Sequence, residues 1–135
     1  MAHAMATHYA RKHNLDLSFE SCGIRATRGS ATTEDALIVL SHAGINWSGT
    51  SQPLGVSQLK WADKVFAMTQ EHAQFANDLA QSLPNQNKPS VELLAGNAEL
   101  VDPLNCGLPA YEQLHTQLKR IIPAQIKALR GTLGA

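Results

Sequence analysis

What the chain has little of narrows it first. Net charge is zero with histidine neutral, so no global field draws it to nucleic acid or to an anionic membrane. Cysteine occurs only twice, at Cys22 and Cys106, far apart and without metal-ligand spacing. That argues against a disulfide framework or a zinc site and fits two reduced thiols in a cytosolic protein. No apolar run approaches the roughly 20 residues of a membrane span, and the N-terminus lacks the apolar core of a signal peptide. A cytoplasmic protein without membrane or nucleic-acid partners, metal or cofactor is therefore expected. Its 135 residues make a single domain, 1–135, long enough to bury a core without cross-links.

What is present is an alternation of helical and strand patterns. Met1 to about His13 is helical: Met1, Met5 and Tyr9 recur at intervals of four, with Ala2, Ala6 and Ala10 beside them. Leu15 to Glu20 alternates apolar and polar, the pattern of a half-buried strand. Thr32, with Asp35 three residues later, resembles a capping box for a helix over about Thr33 to Ala43, with a stripe of Leu37, Leu40 and Ala43 and Gly44 as its stop. Ser57 caps a short helical stretch to Ala62. Val65 to Thr69 is an apolar run without alternation, as expected of a strand covered on both faces. It turns at once into a helix capped by Thr69, with a stripe of Phe75, Leu79 and Leu83, stopped by Pro84. Ser90 to Ala95 is another strand, interrupted by Glu92. A loop holding Asp102-Pro103 leads to a last helix from about Pro109, lined by Tyr111, Leu114, Leu118, Ile121 and Ile122. Pro123 falls within it, so a kink or break is expected near Lys119.

This order of elements means an α/β fold with a parallel sheet and right-handed crossovers. Three strands are few for so many helices, and the chain opens on a helix. A strand ahead of Met1 is expected to be missing.

From Ser21 onward the sequence resembles the low-molecular-weight protein tyrosine phosphatases. Ser21-Cys22-Gly23 sits where that family carries Ser-Ala-Gly. Ala62-Asp63-Lys64-Val65-Phe66-Ala67-Met68-Thr69-Gln70-Glu71-His72 is close to its third-strand segment and is the most specific match. Asp102-Pro103, Gly107 and Tyr111 resemble its Asp-Pro loop and last helix. Met1-Ala2-His3-Ala4 looks like the Met-Ala-Glu-Ala that opens its first helix. The resemblance implies a flavodoxin-like, three-layer parallel sheet in the order 2-1-3-4, here without its first strand. It implies chemistry at that strand's end, where a Cys-x5-Arg-Ser loop cradles phosphate, the cysteine attacks phosphorus and the arginine clamps the oxygens. The Asp-Pro aspartate, here Asp102, protonates the leaving oxygen and then activates water. On spacing alone Asp102 reads rather as a turn residue before proline, and it is the resemblance that turns the reading to an acid.

In the family that loop immediately precedes the Met-Ala-Glu helix, where this sequence begins. Cys22 sits at the end of the second strand instead; Cys106 has no arginine for many residues after it; Arg25 and Arg28 read as loop residues. The expectation is a domain with the family's acid but without its nucleophile and phosphate-binding arginine, inactive alone, whose completed form acts on a phosphorylated protein or a small phosphomonoester. The alternative is a non-catalytic binding or regulatory module of the same fold. Without a first strand, the strands at 15–20 and 65–69 are expected to close up, to recruit a strand by homodimerisation or strand exchange, or to leave the domain unstable.

Three smaller features carry less. His3, His8 and His13 are five apart, so they spread around a helix and do not line one face. His42 and His72 read as capping or solvent-facing. Trp47 and Trp61 read as lids on a core.

Overall fold

The computed structural model describes residues 1–24, 29, 32–84 and 88–132. They form α1 (Ala2–Lys12), α2 (Glu34–His42), α3 (Val56–Trp61), β1 (Lys64–Ala67), α4 (Gln70–Ala80), β2 (Ser90–Leu93) and α5 (Leu108–Thr132). They divide into two compact units, one holding α1, α2 and α5, the other α3, β1, α4 and β2.

In the first unit α5 packs against both α1 and α2. The α1 face is built mainly from small residues: Ala4, Ala6 and Ala10 are buried, with Met5 among them. Small side chains let a helix lie close to its neighbour and lose no rotamer freedom there. The face of α2 is Ala36, Val39 and Leu40, not the expected Leu37–Leu40–Ala43 stripe, and Ala43 is exposed. The end of α2 is as expected. Gly44 has φ +80°, and the Ile45 N–H reaches back to the Leu40 carbonyl at 2.8 Å, which closes the turn with a residue that has no Cβ to clash. Its start is not as expected. The N-cap is Thr33, without a side-chain cap bond; Thr32 Oγ1 instead donates to the Gly49 carbonyl at 3.0 Å.

The expected kink in the last helix does not break it. α5 runs from Leu108 to Thr132 with Pro123 inside. Leu118, Ile122 and Ile126 are buried on one side, and Lys119, whose carbonyl loses its partner to the proline, is exposed to water. Packing on one face and hydration on the other keep the helix continuous.

In the second unit β1 and β2 pair in parallel, with Lys64 opposite Ser90 and Ala67 opposite Leu93. Adjacency of these two strands is what the expected order 2-1-3-4 requires of its last pair. Glu92, which interrupts the second strand's apolar pattern, lies across from Phe66 and forms an ion pair with Lys64 at 2.7 Å. α4 packs on both strands and α3 on α4. Leu59, Ala76, Ala80 and Leu83 form the core there, with Val65, Leu79 and Val91 against it. Phe75 was expected in this stripe and is 40% exposed; Trp61 is 49% exposed and so is no lid. The cap of α3 is Gly55, whose N–H donates to Gln58 Oε1 at 2.8 Å, not Ser57. Thr69 caps α4 as expected, accepting from the His72 N–H at 3.2 Å, and Glu99 Oε2 accepts from the Gln70 N–H at 2.7 Å. Two of the orphan donors of α4 are thus satisfied by side-chain oxygens, one of them charged to suit the helix dipole.

The main departure is at 15–20. Leu15, Leu17 and Phe19 are half-buried and alternate with exposed Asp16, Ser18 and Glu20, yet the segment joins no strand ladder among the described residues. The period alone cannot make a strand, since a strand is defined by a hydrogen-bonded neighbour. Among the described residues the sheet has two strands.

Candidate active site

Asp102 is exposed at the start of a turn that runs directly into α5. Its Oδ1 accepts from the Leu104 N–H at 3.0 Å, the bond by which an aspartate mimics a backbone turn. Pro103, buried between them, has a fixed φ and no N–H of its own. The Cys106 N–H donates to the Pro103 carbonyl at 3.0 Å. Asn105 at φ +64° and Gly107 at φ +85° take the two left-handed positions, which asparagine tolerates and glycine adopts freely. The Ala110 N–H reaches the Gly107 carbonyl at 3.2 Å to open the helix. The local sequence therefore dictates the loop: every special backbone position carries a residue suited to it.

The first turn of α5 is anchored by Tyr111, buried with Ala36 and Val39 of α2, with Met1 and Leu108 packed on them. Thr33 Oγ1 donates to the Tyr111 hydroxyl at 3.1 Å. One cluster thus ties together the start of α1, the start of α2 and the helix that the Asp102 turn feeds.

At the start of α1, His3 makes contacts the sequence did not announce. Its Nδ1 lies 2.9 Å from Ser21 Oγ, and its ring meets Trp47 edge-on at 4.7 Å between centroids. Burial, then the neighbouring Met1 ammonium, lower the His3 pKa, opposed by its bond to the Phe19 backbone and by Glu20. Burial also lowers the Met1 α-amino group. The only hint available in sequence was the departure at His3 from the family's glutamate. Trp47 in turn lies over Gly49, where a Cβ would stand 2.6 Å from the indole Nε1.

No group of histidine, cysteine and carboxylate side chains among the described residues could hold a metal. His13 packs against Tyr9 at 4.3 Å between centroids, and His42 is exposed. Cys22 and Cys106 are both exposed, and no disulfide joins them. Cys106 Sγ lies 3.5 Å from the Leu104 carbonyl. Arg25 and Arg28 lie outside the described residues. One interval escapes the position-based argument against Cys22. Arg28 stands six residues after it, so the bare Cys-x5-Arg spacing does occur in the chain, followed by Gly29 where the family has serine. It comes after the helix that the family's loop precedes.

Residues 1–133 match the family model of the low molecular weight phosphotyrosine protein phosphatases. The chain is 24% identical over 131 residues to a protein-arginine-phosphatase of Bacillus subtilis (strain 168), covering 96% of this chain and 87% of that protein. It is similar to the solution structure of a low molecular weight protein tyrosine phosphatase from Bacillus subtilis, with a TM-score of 0.84 at 24% identity over 96% of this chain and 87% of that one. The crystal structure of the low molecular weight protein tyrosine phosphatase from T. tengcongensis gives 0.84 at 22% identity, over 94% and 88%. These likenesses establish the flavodoxin-like α/β fold. With residues 1–133 of this chain matched by the family model, the chain belongs to the low molecular weight phosphotyrosine protein phosphatase family.

Proposed function

We propose that this domain belongs to a phosphatase acting on a phosphorylated protein side chain, with Asp102 as general acid and then general base. The observation that supports this most is the Asp102 turn: an exposed carboxylate, restrained through one oxygen, at the head of α5. Such a group can give a proton to a leaving oxygen and take one from water without reorganising its backbone. The phosphoryl group would pass through a phosphocysteine on a Cys-x5-Arg-Ser loop, which the 135 residues do not carry ahead of α1. The polypeptide of these residues alone is therefore expected not to turn over. Leu104, aliphatic and 52% exposed two residues beyond Asp102, offers no aromatic wall to a phosphotyrosine ring. With the arginine phosphatase relative, this favours phosphoarginine over phosphotyrosine. Two exposed cysteines that no disulfide joins fit action in the cytoplasm.

The test is hydrolysis of p-nitrophenyl phosphate by two forms: the 135-residue polypeptide, and one extended by whatever in-frame sequence precedes Met1. An extension carrying an apolar strand and Cys-x5-Arg-Ser is expected to restore turnover, and Asp102→Ala there to lower kcat by about 10²–10⁴-fold. Turnover by the short form that Asp102→Ala leaves intact refutes the assignment. Loss of such turnover in Cys22→Ser would move the nucleophile to Cys22. A stop codon upstream with no such loop selects the second reading, a non-catalytic module that binds phosphorylated side chains. The unladdered alternation at 15–20 supports homodimerisation or strand exchange as the way that segment is completed; a single monomeric species in sedimentation refutes that part.

A further inference from the structure

The turn at Asp102 treats the two carboxylate oxygens unequally. Oδ1 accepts the Leu104 N–H at 3.0 Å, and the side chain as a whole is exposed. Pro103 supplies no N–H between the two residues, so the Leu104 amide meets no competing backbone donor from within the pair.

We infer that Oδ2 is the oxygen of Asp102 that carries the proton, and that the Leu104 backbone N–H is the positioning group that makes it so. This rests on the reading of Asp102 as acid and base. An amide N–H donates and cannot accept, whatever the state of its partner. A protonated carboxyl has one carbonyl-type oxygen, the better acceptor, and one hydroxyl. The N–H holds the carbonyl-type oxygen at Oδ1, and the hydroxyl falls at Oδ2. In the ionised form an oxygen already accepting a hydrogen bond is the poorer proton acceptor of the two, so the incoming proton also goes to Oδ2. The Oδ2 proton passes to the leaving oxygen as its bond to phosphorus breaks. Oδ2 then takes a proton from the water whose oxygen bonds to phosphorus. Oδ1 stays on the Leu104 amide throughout. The backbone beneath does not move either, closed as it is by the Cys106 N–H on the Pro103 carbonyl.

The measurement is a pH titration of the isotope-labelled 135-residue polypeptide by NMR, following the Asp102 carboxyl carbon and the Leu104 amide proton. The Leu104 amide is expected to shift downfield as Asp102 ionises, with the same midpoint as the carboxyl carbon. Asp102→Asn, whose side-chain oxygen still accepts, abolishes that titration and keeps Leu104 slowly exchanging; Asp102→Ala raises its exchange rate several-fold. Cys106→Ser, the control for the other titratable group in the turn, leaves the Leu104 titration in place. A Leu104 amide that stays silent through the Asp102 midpoint, or exchanges equally in Asp102→Ala, overturns the inference. These signals do not require turnover, so a failed phosphatase assay leaves them unchanged and the two failures are distinguishable.

Discussion

Pro123 is the position where replacing one side chain should raise stability. It sits inside α5, between Ile122 and Ile126, which are buried. Proline in a helix interior costs about 3 kcal/mol relative to alanine, through the missing N–H and the ring's clash with the preceding turn. Some of that is returned here because the ring is half-buried. Proline carries two methylenes more than alanine, and half-burying them contributes roughly 0.8 kcal/mol. Pro123→Ala is therefore expected to stabilise the protein by about 2 kcal/mol. In a domain of this size that raises the midpoint of thermal unfolding by roughly 6 °C. Urea unfolding followed by circular dichroism measures it, with the m-value unchanged if only the folded state gains. A variant no more stable than the parent would refute the reasoning. It would mean that hydration of the exposed Lys119 carbonyl and packing of the ring already offset the whole helical penalty.

Three other perturbations follow from single contacts. Tyr111→Phe removes the hydroxyl that Thr33 Oγ1 donates to and should cost about 1 kcal/mol; because Thr33 makes no side-chain cap bond, a double-mutant cycle with Thr33→Val should recover most of that as coupling. Gly49→Ala places a methyl 2.6–2.7 Å from three indole atoms of Trp47, so the ring must swing off His3; a loss of about 1–3 kcal/mol and a changed tryptophan emission are expected. His3 and His115 both have folded pKa values below the ordinary 6.5, lowered first by burial, then by the Met1 ammonium and Lys119 respectively. As pH falls below 6.5 the unfolded chain takes up these protons first, so stability is full above that value and is lost below it; His3→Gln should flatten the loss in urea titrations between pH 7 and 5, and an unchanged slope would show that the His3 ring is not desolvated.

The parts of the fold that were legible in sequence are those determined by neighbours in the chain. Thr69 as a cap, Gly44 as a stop and Asp102-Pro103 as a turn each depend on a residue type meeting a backbone requirement a few positions away. The stripes of α2 and α4 were only partly legible. An apolar residue is buried when another element lies opposite it, and nothing in the local period says that Phe75 faces solvent while Ala73 does not. The segment at 15–20 makes the same point for strands. Its alternation survives in the burial pattern, and its ladder depends on a partner that the period cannot supply. Pro123 misled in the other direction: its local penalty is real, but tertiary packing along Leu118, Ile122 and Ile126 overrides it. His3 against Trp47 and Ser21 was beyond reach, since those residues lie 44 and 18 positions away.

The same division between local and distant determinants runs through the site. The bonds that hold the Asp102 turn join residues two or three apart: Leu104 to Asp102, Cys106 to Pro103, Ala110 to Gly107. Loops closed over so few residues cost little chain entropy and form early. The Asp102 turn is therefore built by its own segment and borrows from the rest of its unit only the anchoring of α5 through Tyr111, Ala36 and Val39. A phosphate cradle is the opposite kind of structure, a row of backbone N–H groups that must be brought to the acid from another part of the chain. A turn closed by such bonds takes its geometry from its own residues, whether or not a cradle faces it. On the proposed reading of Asp102, the informative comparison is between forms that differ only ahead of Met1, because the Asp102 turn is constant between them.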